Sequence, residues 1–229
     1  HAVKIKMNGI KLVTFDDLGD GAALSDINIF GMLSDGKVVR ALKGKNILLG
    51  REYLVLNKEI DRYKRVRGSM EKIIITLGGS DTYNITPVAI EACLDVFDNI
   101  TAICGPNYKH REALDRFPKK KVVIKESVKS LIEEFYQYDL AITGGGITPF
   151  EANATGLPCV IVASEPHEIE YAKELEKVGS SIFAGYYTNI DWSFLNGRIN
   201  ITSMSKKGIR EFNSNGAENI INYIERDML

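Results

Sequence analysis

The sequence lacks the features that mark several large classes of protein. It has only three cysteines, Cys93, Cys104 and Cys159, which are widely spaced and each lie in an apolar neighbourhood. This usage indicates neither a zinc knuckle nor a disulfide framework, and it fits a reducing compartment best. No apolar run approaches the roughly 20 residues that cross a bilayer, and the segment HAVKIKMNG lacks the apolar core of a signal peptide. We therefore expect a cytoplasmic protein without a membrane span.

An excess of either charge is also missing. The chain has 29 basic and 30 acidic residues, which give a formal net charge of −1, so a strongly basic nucleic-acid binder is excluded and no nucleic-acid partner is expected. Its three histidines form no metal-spaced cluster and no Ser-His-Asp order. No metal and no cofactor are expected. With 229 residues, 45% of them hydrophobic, the chain is long enough to bury a substantial core.

The first part of the chain contains short apolar runs separated by turn-forming stretches. The runs KLVTF, SDINIF and NILLG predict strands with little helix between them. Residues 57–70, NKEIDRYKRVRGSM, are highly charged and carry almost no strand pattern. This segment predicts a boundary between a first region, residues 1–66, and a second region, residues 67–229.

From Lys72 onward, apolar strands alternate with amphipathic helices. The strand-like runs are KIIITL, ITAIC, KVVIK, DLAIT, PCVIVA and SIFAG. Helical spacing of apolar residues predicts helices between and after them, over Asn84–Phe97, His110–Phe117, Val128–Tyr136, Pro149–Thr155, Glu168–Val178 and Ala217–Met228. Near-continuous apolar strands of this kind indicate a Rossmann-like α/β fold, with a parallel sheet that helices cover on both faces.

Two glycine-rich loops follow predicted strands, where ligands bind in open parallel sheets. One is Gly78-Gly79-Ser80-Asp81 and the other is Gly144-Gly145-Gly146-Ile147-Thr148-Pro149. In the second loop we expect Thr148 as N-cap and Pro149 as the first helical residue, so that free backbone N–H groups bind a phosphate. The alternative is a tight turn whose glycines only avoid steric clash. Neither loop matches G-x-x-x-x-G-K-[ST] or G-x-G-x-x-G, which argues against an ATPase or a dinucleotide enzyme.

A few polar residues are candidates for ligand contacts. Glu151 is placed to accept hydrogen bonds from ribose hydroxyls, or else to complement the dipole of its helix, and the sequence leaves both interpretations open. His167, after the strand CVIVA, and Asp17, after KLVTF, are candidate sugar contacts. For Asp17 the alternative is an acidic turn.

Five segments together carry a family resemblance. They are KLVTFDD, SDINIF, NILLGREYLVLNKEI, ITLGGSDTYNIT and AITGGGITPFEANATGLPCVIV. In their order and spacing the chain resembles nucleotide-sugar enzymes of the GT-B architecture, particularly the UDP-sugar hydrolase of the pseudaminic-acid pathway and the related spore-coat polysaccharide proteins. The last segment is also similar to the lipid-linked N-acetylglucosaminyltransferase of peptidoglycan synthesis.

The resemblance implies two Rossmann-like lobes, with UDP held mainly by the C-terminal one. Residues 1–66 are then the remnant of an N-terminal lobe with a linker, and residues 67–229 are the C-terminal nucleotide-sugar-binding domain. The loop near Glu126 is expected to meet the uracil edge through its backbone. The implied nucleotide-binding residues are Gly145, Gly146, Ile147 and Thr148 at the diphosphate, Glu151 at the ribose, Ser127 and Val128 at the base, and Gly79, Ser80 and Asp81 on the cleft floor.

The chain departs from the family pattern in two places. Ser164-Glu165-Pro166-His167 stands where the hydrolase typically has Asn-Gln. The family's Gly-x-Gly-His-x-x-Arg loop, which supplies the histidine implicated in catalysis, is absent from the sequence. We therefore expect the catalytic histidine to lie upstream of this chain, and the chain alone to bind a UDP-sugar without turning it over.

Three functions follow from the resemblance. The first is a hydrolase that releases UDP from an amino-deoxy sugar nucleotide in nonulosonic-acid or surface polysaccharide biosynthesis. The second is a GT-B glycosyltransferase that passes the sugar to a lipid or glycan. The third is a non-catalytic nucleotide-sugar-binding module. The expected partners are the UDP-sugar itself and a partner lobe or other enzymes of the pathway.

Overall fold

The computed structural model describes residues 1–32, 42–197 and 199–227. These residues form two compact units, the first made of His1–Leu56 with Asn213–Leu229 and the second of Asn57–Phe212. The units therefore divide after Leu56 rather than between residues 66 and 67, and the C-terminal helix belongs to the first unit.

The first unit is a small parallel sheet with helices. Its elements are α1 (Ala2–Met7), β1 (Val13–Phe15), a 3-10 helix (Asp20–Leu24), β2 (Ile27–Phe30), β3 (Asn46–Leu49), a 3-10 helix (Arg51–Tyr53) and the C-terminal helix (Gly216–Asp227). The strands lie in the order β1-β2-β3 and are parallel. Ile220 of the C-terminal helix packs with Ile27, Ile29 and Leu48, so the end of the chain completes the core of this unit.

The second unit alternates strands and helices, as the sequence predicts. It contains α2 (Glu59–Arg62), β4 (Lys72–Thr76), α3 (Ile85–Cys93), β5 (Asn99–Ile103), a 3-10 helix (Arg111–Leu114), β6 (Val122–Lys125), α4 (Leu131–Phe135), β7 (Leu140–Thr143), α5 (Thr148–Ala154), β8 (Cys159–Ala163), α6 (Pro166–Val178), β9 (Ser181–Tyr186), β10 (Asn189–Ile190), a 3-10 helix (Ser193–Asn196) and α7 (Ile201–Glu211).

The strands of the second unit form one seven-stranded sheet in the order β10-β9-β8-β7-β4-β5-β6. All its pairs are parallel except β9 with β10. Every residue of β7 and β8 is buried, which explains why these strands read as continuous apolar runs. The chain builds β5 and β6 on one side of β4 and then crosses to β7 on the other side, so the order reverses between β4 and β7.

Several predicted helix boundaries are wrong by a few residues. α4 begins at Leu131 rather than Val128, because the hydroxyl of Ser130 accepts the N–H of Glu133 and caps it. α5 begins at Thr148 with Ile147 as the N-cap residue, so Thr148 is not the cap. α6 begins at Pro166, two residues earlier than expected.

The other differences lie in short or unpredicted helices. α3 ends at Cys93 rather than Phe97, and the helix expected over His110–Phe117 is a short 3-10 helix. The C-terminal helix runs over Gly216–Asp227, and Met228 lies outside the described residues. Helix α7 was not predicted. Its Gly208 packs against α5, where a Cβ would lie 2.5 Å from the carbonyl oxygen of Asn153.

The charged boundary segment, residues 57–70, contains a fully buried arginine. Arg67 has no exposed surface, and its guanidinium donates to the carbonyl oxygens of Arg65, Phe135, Tyr138 and Thr155. Burial lowers the pKa of Arg67 to about 9. The segment around it is therefore part of the second unit's core.

Candidate functional site

The structure brings the two glycine-rich loops together. β4 and β7 are neighbours in register, with Thr76 opposite Thr143, so the loops that follow them leave the same edge of the sheet side by side. Between them lies a cavity of about 280 Å³, which we call the glycine cavity. It is lined by Leu77, Gly78, Gly79, Ser80, Asp81, Thr82, Tyr83, Gly144, Gly146, Thr148, Ser164, Glu165 and Glu168.

The three consecutive glycines have different surroundings. Gly144 and Gly146 line the glycine cavity, and a Cβ at Gly144 would meet no protein atom within 4 Å. Gly145 instead packs on α6, where a Cβ would lie 2.5 Å from the Cβ of Glu168. Close approach to another element therefore explains Gly145, whereas Gly144 and Gly146 border the open space of the cavity.

Backbone N–H groups are available at this turn. The N–H groups of Gly145, Gly146 and Ile147 donate to no acceptor within the described part of the chain. Helix α5 spans only seven residues. These individual N–H groups, rather than a long helix dipole, are therefore what the turn offers to an anion.

A second cavity of about 290 Å³ adjoins the first, and we call it the apolar cavity. It shares Gly78, Gly79 and Thr148 with the glycine cavity, so the two are contiguous. Its other lining residues are Thr76, Ile103, Cys104, Gly105, Pro106, Ser127, Val128 and Leu131. Contiguous polar and apolar compartments suit a ligand with one charged part and one flat, weakly polar part.

The loops that line the apolar cavity are held together by backbone contacts. The N–H of Asn107 donates to the carbonyl oxygen of Gly79 over 3.0 Å. A Cβ at Gly105 would overlap the backbone of Gly79. Glu126 does not line the cavity but forms an ion pair with Arg111, so of that predicted loop only Ser127 and Val128 face the cavity.

Asp81 is committed to its own helix. Its two carboxylate oxygens accept the N–H groups of Ile85 and Thr86, each over 2.8 Å, and so cap α3. Its φ of +40° lies in the left-handed region. Ser80 shares a hydrogen bond of 3.0 Å with the hydroxyl of Thr82. Asp81 therefore shapes the first glycine loop through α3, although it also lines the cavity.

Most of the predicted nucleotide-binding residues line one of the two cavities, and three do not. Gly145 is packed against α6. Ile147 is 41% exposed and lines neither cavity. Glu151 is half-buried and also lines neither cavity; its carboxylate has no hydrogen bond or ion pair within the described residues, and burial raises its pKa. The residues that line the cavities are Gly79, Ser80, Asp81, Ser127, Val128, Gly146 and Thr148.

The two predicted sugar contacts lie elsewhere. His167 is exposed near the start of α6, edge-on to Tyr171 with ring centroids 5.8 Å apart, and it lines neither cavity. Asp17 lies in the first unit, where its Oδ1 accepts the N–H of Gly19 over 2.8 Å. The acidic-turn interpretation therefore describes what the side chain of Asp17 does in this structure.

Three lining residues of the glycine cavity were not predicted from the sequence, namely Tyr83, Glu165 and Glu168. Glu165 and Glu168 form a capping box at the start of α6, and Glu168 Oε2 also accepts the N–H of Ser164 over 2.7 Å. The spacing Glu-Pro-His-Glu is close to the capping-box pattern and was a usable signal for this helix start. Its position at the cavity, in contrast, depends on the pairing of β7 with β8.

Across residues 1–32, 42–197 and 199–227, no group of three or more His, Cys, Asp or Glu side chains is placed to hold a metal ion. No helix in these same ranges has both the length and the apolar character that a bilayer requires.

No protein-family model matches the chain. It is similar to the spore coat polysaccharide biosynthesis protein SpsG of Bacillus subtilis, at 27% identity over 186 residues, which cover 76% of this chain and 55% of SpsG. It is also 29% identical over 160 residues to the uncharacterized protein MJ1062 of Methanocaldococcus jannaschii, covering 62% of this chain and 33% of that protein. The chain thus spans about half and about a third of these curated relatives.

Solved structures resemble the chain over nearly its whole length. MurG of Acinetobacter baumannii matches with a TM-score of 0.68 at 15% identity, over 98% of this chain and 69% of MurG. The spinosyn rhamnosyltransferase SpnG, in complex with thymidine diphosphate, matches with a TM-score of 0.64 at 13% identity, over 96% and 70% of the two chains. A putative UDP-N-acetylglucosamine 2-epimerase from Listeria monocytogenes matches with a TM-score of 0.64 at 11% identity, over 98% and 70%. The predicted α/β fold of the GT-B glycosyltransferases is therefore confirmed.

Proposed function

We propose that this chain binds the UDP part of a UDP-sugar, and that the intact protein breaks the bond between sugar and diphosphate in the assembly of a surface polysaccharide. The observation that carries this proposal is the pair of contiguous cavities at the carboxyl edge of the sheet, where the strand order reverses.

The glycine cavity is the compartment for the diphosphate. Gly144 and Gly146 leave open space, and Gly146, which lines the cavity, carries an N–H group with no acceptor among the described residues. Within the described part of the chain, no Lys, Arg or His lines this cavity. Because the N–H donor is a fixed backbone group, it stabilises the negative charge that develops on the leaving diphosphate without reorganisation.

The apolar cavity is the compartment for the base. Ile103, Pro106, Val128 and Leu131 provide apolar walls for a flat ring, and Ser127 lies beside them on the loop after β6. The two cavities share Gly78, Gly79 and Thr148, and in this proposal the ribose lies at that junction of the base and diphosphate compartments. Glu151 remains our candidate for contact with the ribose hydroxyls. Because Glu151 lines neither cavity, α5 would have to move to bring its carboxylate within reach of the ribose.

The relatives support the reaction class. SpsG is named for spore coat polysaccharide biosynthesis, and SpnG holds thymidine diphosphate in its crystal structure. No histidine lines either cavity, which fits a general base supplied from outside this chain. Water as the acceptor gives the hydrolase, and a lipid or glycan acceptor gives the glycosyltransferase. The name of the structural neighbour SpnG, a rhamnosyltransferase, favours transfer.

Isothermal titration calorimetry tests the binding site. UDP should bind in the presence of EDTA, and both uridine and pyrophosphate should bind more weakly because each fills one compartment. Val128→Asp should weaken UDP at least about tenfold by placing a charge in the apolar cavity. Its matched control is Val123→Asp, on β6, which is 52% exposed and outside both cavities. Absence of UDP binding, or equal effects of the two variants, would refute the assignment.

Product analysis with the intact protein separates the two reactions. Release of UDP from a UDP-sugar in buffer alone would support hydrolysis. Release that requires an added glycan or lipid acceptor would support transfer.

A further inference from the structure

The glycine cavity has an acidic and aromatic wall beside the glycine turn. Its lining residues include Asp81, Glu165, Glu168 and Tyr83, and no basic residue within the described ranges is among them. Both oxygens of Asp81 accept backbone N–H groups. Asp81 thus keeps its charge but has both oxygens engaged, and Glu165 and Glu168 are the carboxylates in this lining that keep acceptor capacity for a ligand.

The two glutamates keep acceptor capacity beyond their role in capping α6. The capping box uses Oε2 of Glu168, which accepts the N–H groups of Ser164 and Glu165. Its other oxygen, Oε1, lies on the side of Gly146, 4.0 Å from where a Cβ of that glycine would be. Glu165 is exposed at the same rim. A capping role thus accounts for part of this carboxylate surface and leaves the rest facing the cavity.

An ordered group of tyrosines completes the wall. Tyr83 stacks on Tyr187 with ring centroids 3.6 Å apart and an interplanar angle of 16°, and Tyr186 lies 4.7 Å from Tyr187. The N–H of Tyr187 donates to the carbonyl oxygen of Ala163, which fixes this stack beside the end of β8. Tyr83 is 39% exposed, and the nearby charge of Glu165 raises the pKa of its hydroxyl. An aromatic face next to carboxylates is the surface that binds an organic cation.

This wall is of the wrong charge for a diphosphate alone. A bound diphosphate brings further negative charge close to Glu165 and Glu168, and like charges at short range oppose binding unless a cation lies between them. The part of the ligand that follows the diphosphate is the sugar. A positively charged substituent on that sugar would remove the conflict.

We propose that the sugar carries a free amino group, and that Glu165 and Glu168 select it as an ammonium beside Tyr83. This inference rests on the proposed function, since it assumes that the diphosphate occupies the glycine cavity. It makes Glu165 and Glu168 specificity-determining residues, and it distinguishes a free amino sugar from an N-acetylated one, whose amide is neutral.

Calorimetry with UDP, UDP-glucosamine and UDP-N-acetylglucosamine, at neutral pH with EDTA, tests the proposal. UDP-glucosamine should bind about tenfold more tightly than UDP-N-acetylglucosamine, as expected for a charge-assisted hydrogen bond at a partly exposed site. The preference should shrink at about 1 M salt. Glu165→Gln and Glu168→Gln should each reduce the preference for UDP-glucosamine to about threefold or less. Glutamine keeps an oxygen for the capping box but carries no charge.

The matched control is Glu170→Gln. Glu170 lies on the same helix, pairs with Lys173 over 3.3 Å and lines neither cavity, so its removal should leave the preference unchanged. A preference that is absent in the wild type, or that survives in Glu165→Gln and Glu168→Gln, overturns the inference. So does binding that depends on added Mg²⁺, because a metal ion would then neutralise the carboxylates. Failure of UDP itself to bind overturns the proposed function as well.

Discussion

Adding one methyl group at neighbouring glycines separates their two roles. Gly144→Ala places a methyl group where no described residue beyond its two chain neighbours lies within 4 Å, whereas Gly145→Ala places it 2.5 Å from the Cβ of Glu168 and 3.1 Å from the Glu168 carbonyl oxygen. Neither glycine has a φ in the left-handed region. Backbone strain is thus the same in both variants, and only the surroundings differ.

The expected stability changes have opposite signs. Gly144→Ala restricts the unfolded chain without a clash in the folded one, which should raise the free energy of unfolding by about 0.4–1 kcal/mol. Gly145→Ala must push the turn away from α6, and overpacking of this kind costs about 1–3 kcal/mol. About 1 kcal/mol moves the unfolding midpoint of a chain of this size by roughly 2–4 °C. The midpoints of the two variants should therefore differ by at least about 3 °C.

In the two glycine variants, the changes in UDP affinity should not parallel the changes in the free energy of unfolding. Gly144 lines the glycine cavity, so its added methyl group occupies ligand space, and Gly144→Ala should bind UDP more weakly although it is the more stable variant. Gly145→Ala should lose both stability and affinity, because displacement of the turn moves its N–H groups. Thermal unfolding followed by circular dichroism and calorimetry with UDP give the two readouts on the same samples.

Two results would refute this reasoning. If Gly144→Ala unfolds at a temperature as low as Gly145→Ala does, the space beside Gly144 is not open. If Gly144→Ala gains stability and binds UDP as well as the wild type does, the ligand does not occupy that space, and the glycine cavity is not the diphosphate compartment.

Three further changes test other parts of the site and the core. Burial raises the pKa of Glu151, so ionisation of this carboxyl destabilises the fold as pH rises through that pKa. Glu151→Gln should therefore raise the thermal unfolding midpoint at neutral pH. In calorimetry, the same variant should lose more affinity for UDP than for pyrophosphate. Asp81→Ala should lower the free energy of unfolding in urea by about 1–3 kcal/mol, because two N–H groups of α3 lose their acceptors. Asp81→Asn should lower it less, because asparagine tolerates the positive φ at this position. Arg67→Met should lower the free energy of unfolding in the same assay by at least about 3 kcal/mol, because it leaves buried carbonyl oxygens unpaired. Arg62 is exposed, so Arg62→Met should change this free energy little.

Patterns that depend on neighbouring residues were enough to predict the fold. The strands KIIITL, ITAIC, DLAIT and PCVIVA are almost wholly buried, so their apolar runs identify them without knowledge of their partners. The glycine loops were predictable for a related reason, because each directly follows such a strand. Their meeting in one cavity, however, depends on the pairing of β4 with β7, which lie more than sixty residues apart in the sequence.

Features that depend on distant contacts were predicted less well. Gly145 was expected at the diphosphate with Gly146, and only the packing of Glu168 against it separates the two roles. Helix α7 has a polar sequence with an internal glycine, which lowers its helix propensity. The approach to Asn153 that requires Gly208 cannot be read from residues 201–211 alone.

The interpretation of charged residues shows the limit of local patterns most clearly. Arg67 lies in a segment whose composition is typical of a solvated linker, yet its guanidinium is buried because Phe135 and Thr155, 68 and 88 residues away, present carbonyl oxygens to it. Glu165 and Glu168 look like ordinary capping residues, yet the cavity beside them makes their charge matter for the ligand. In both cases the local sequence specifies the charge, and residues distant in the sequence decide whether that charge supports the core or selects a substrate.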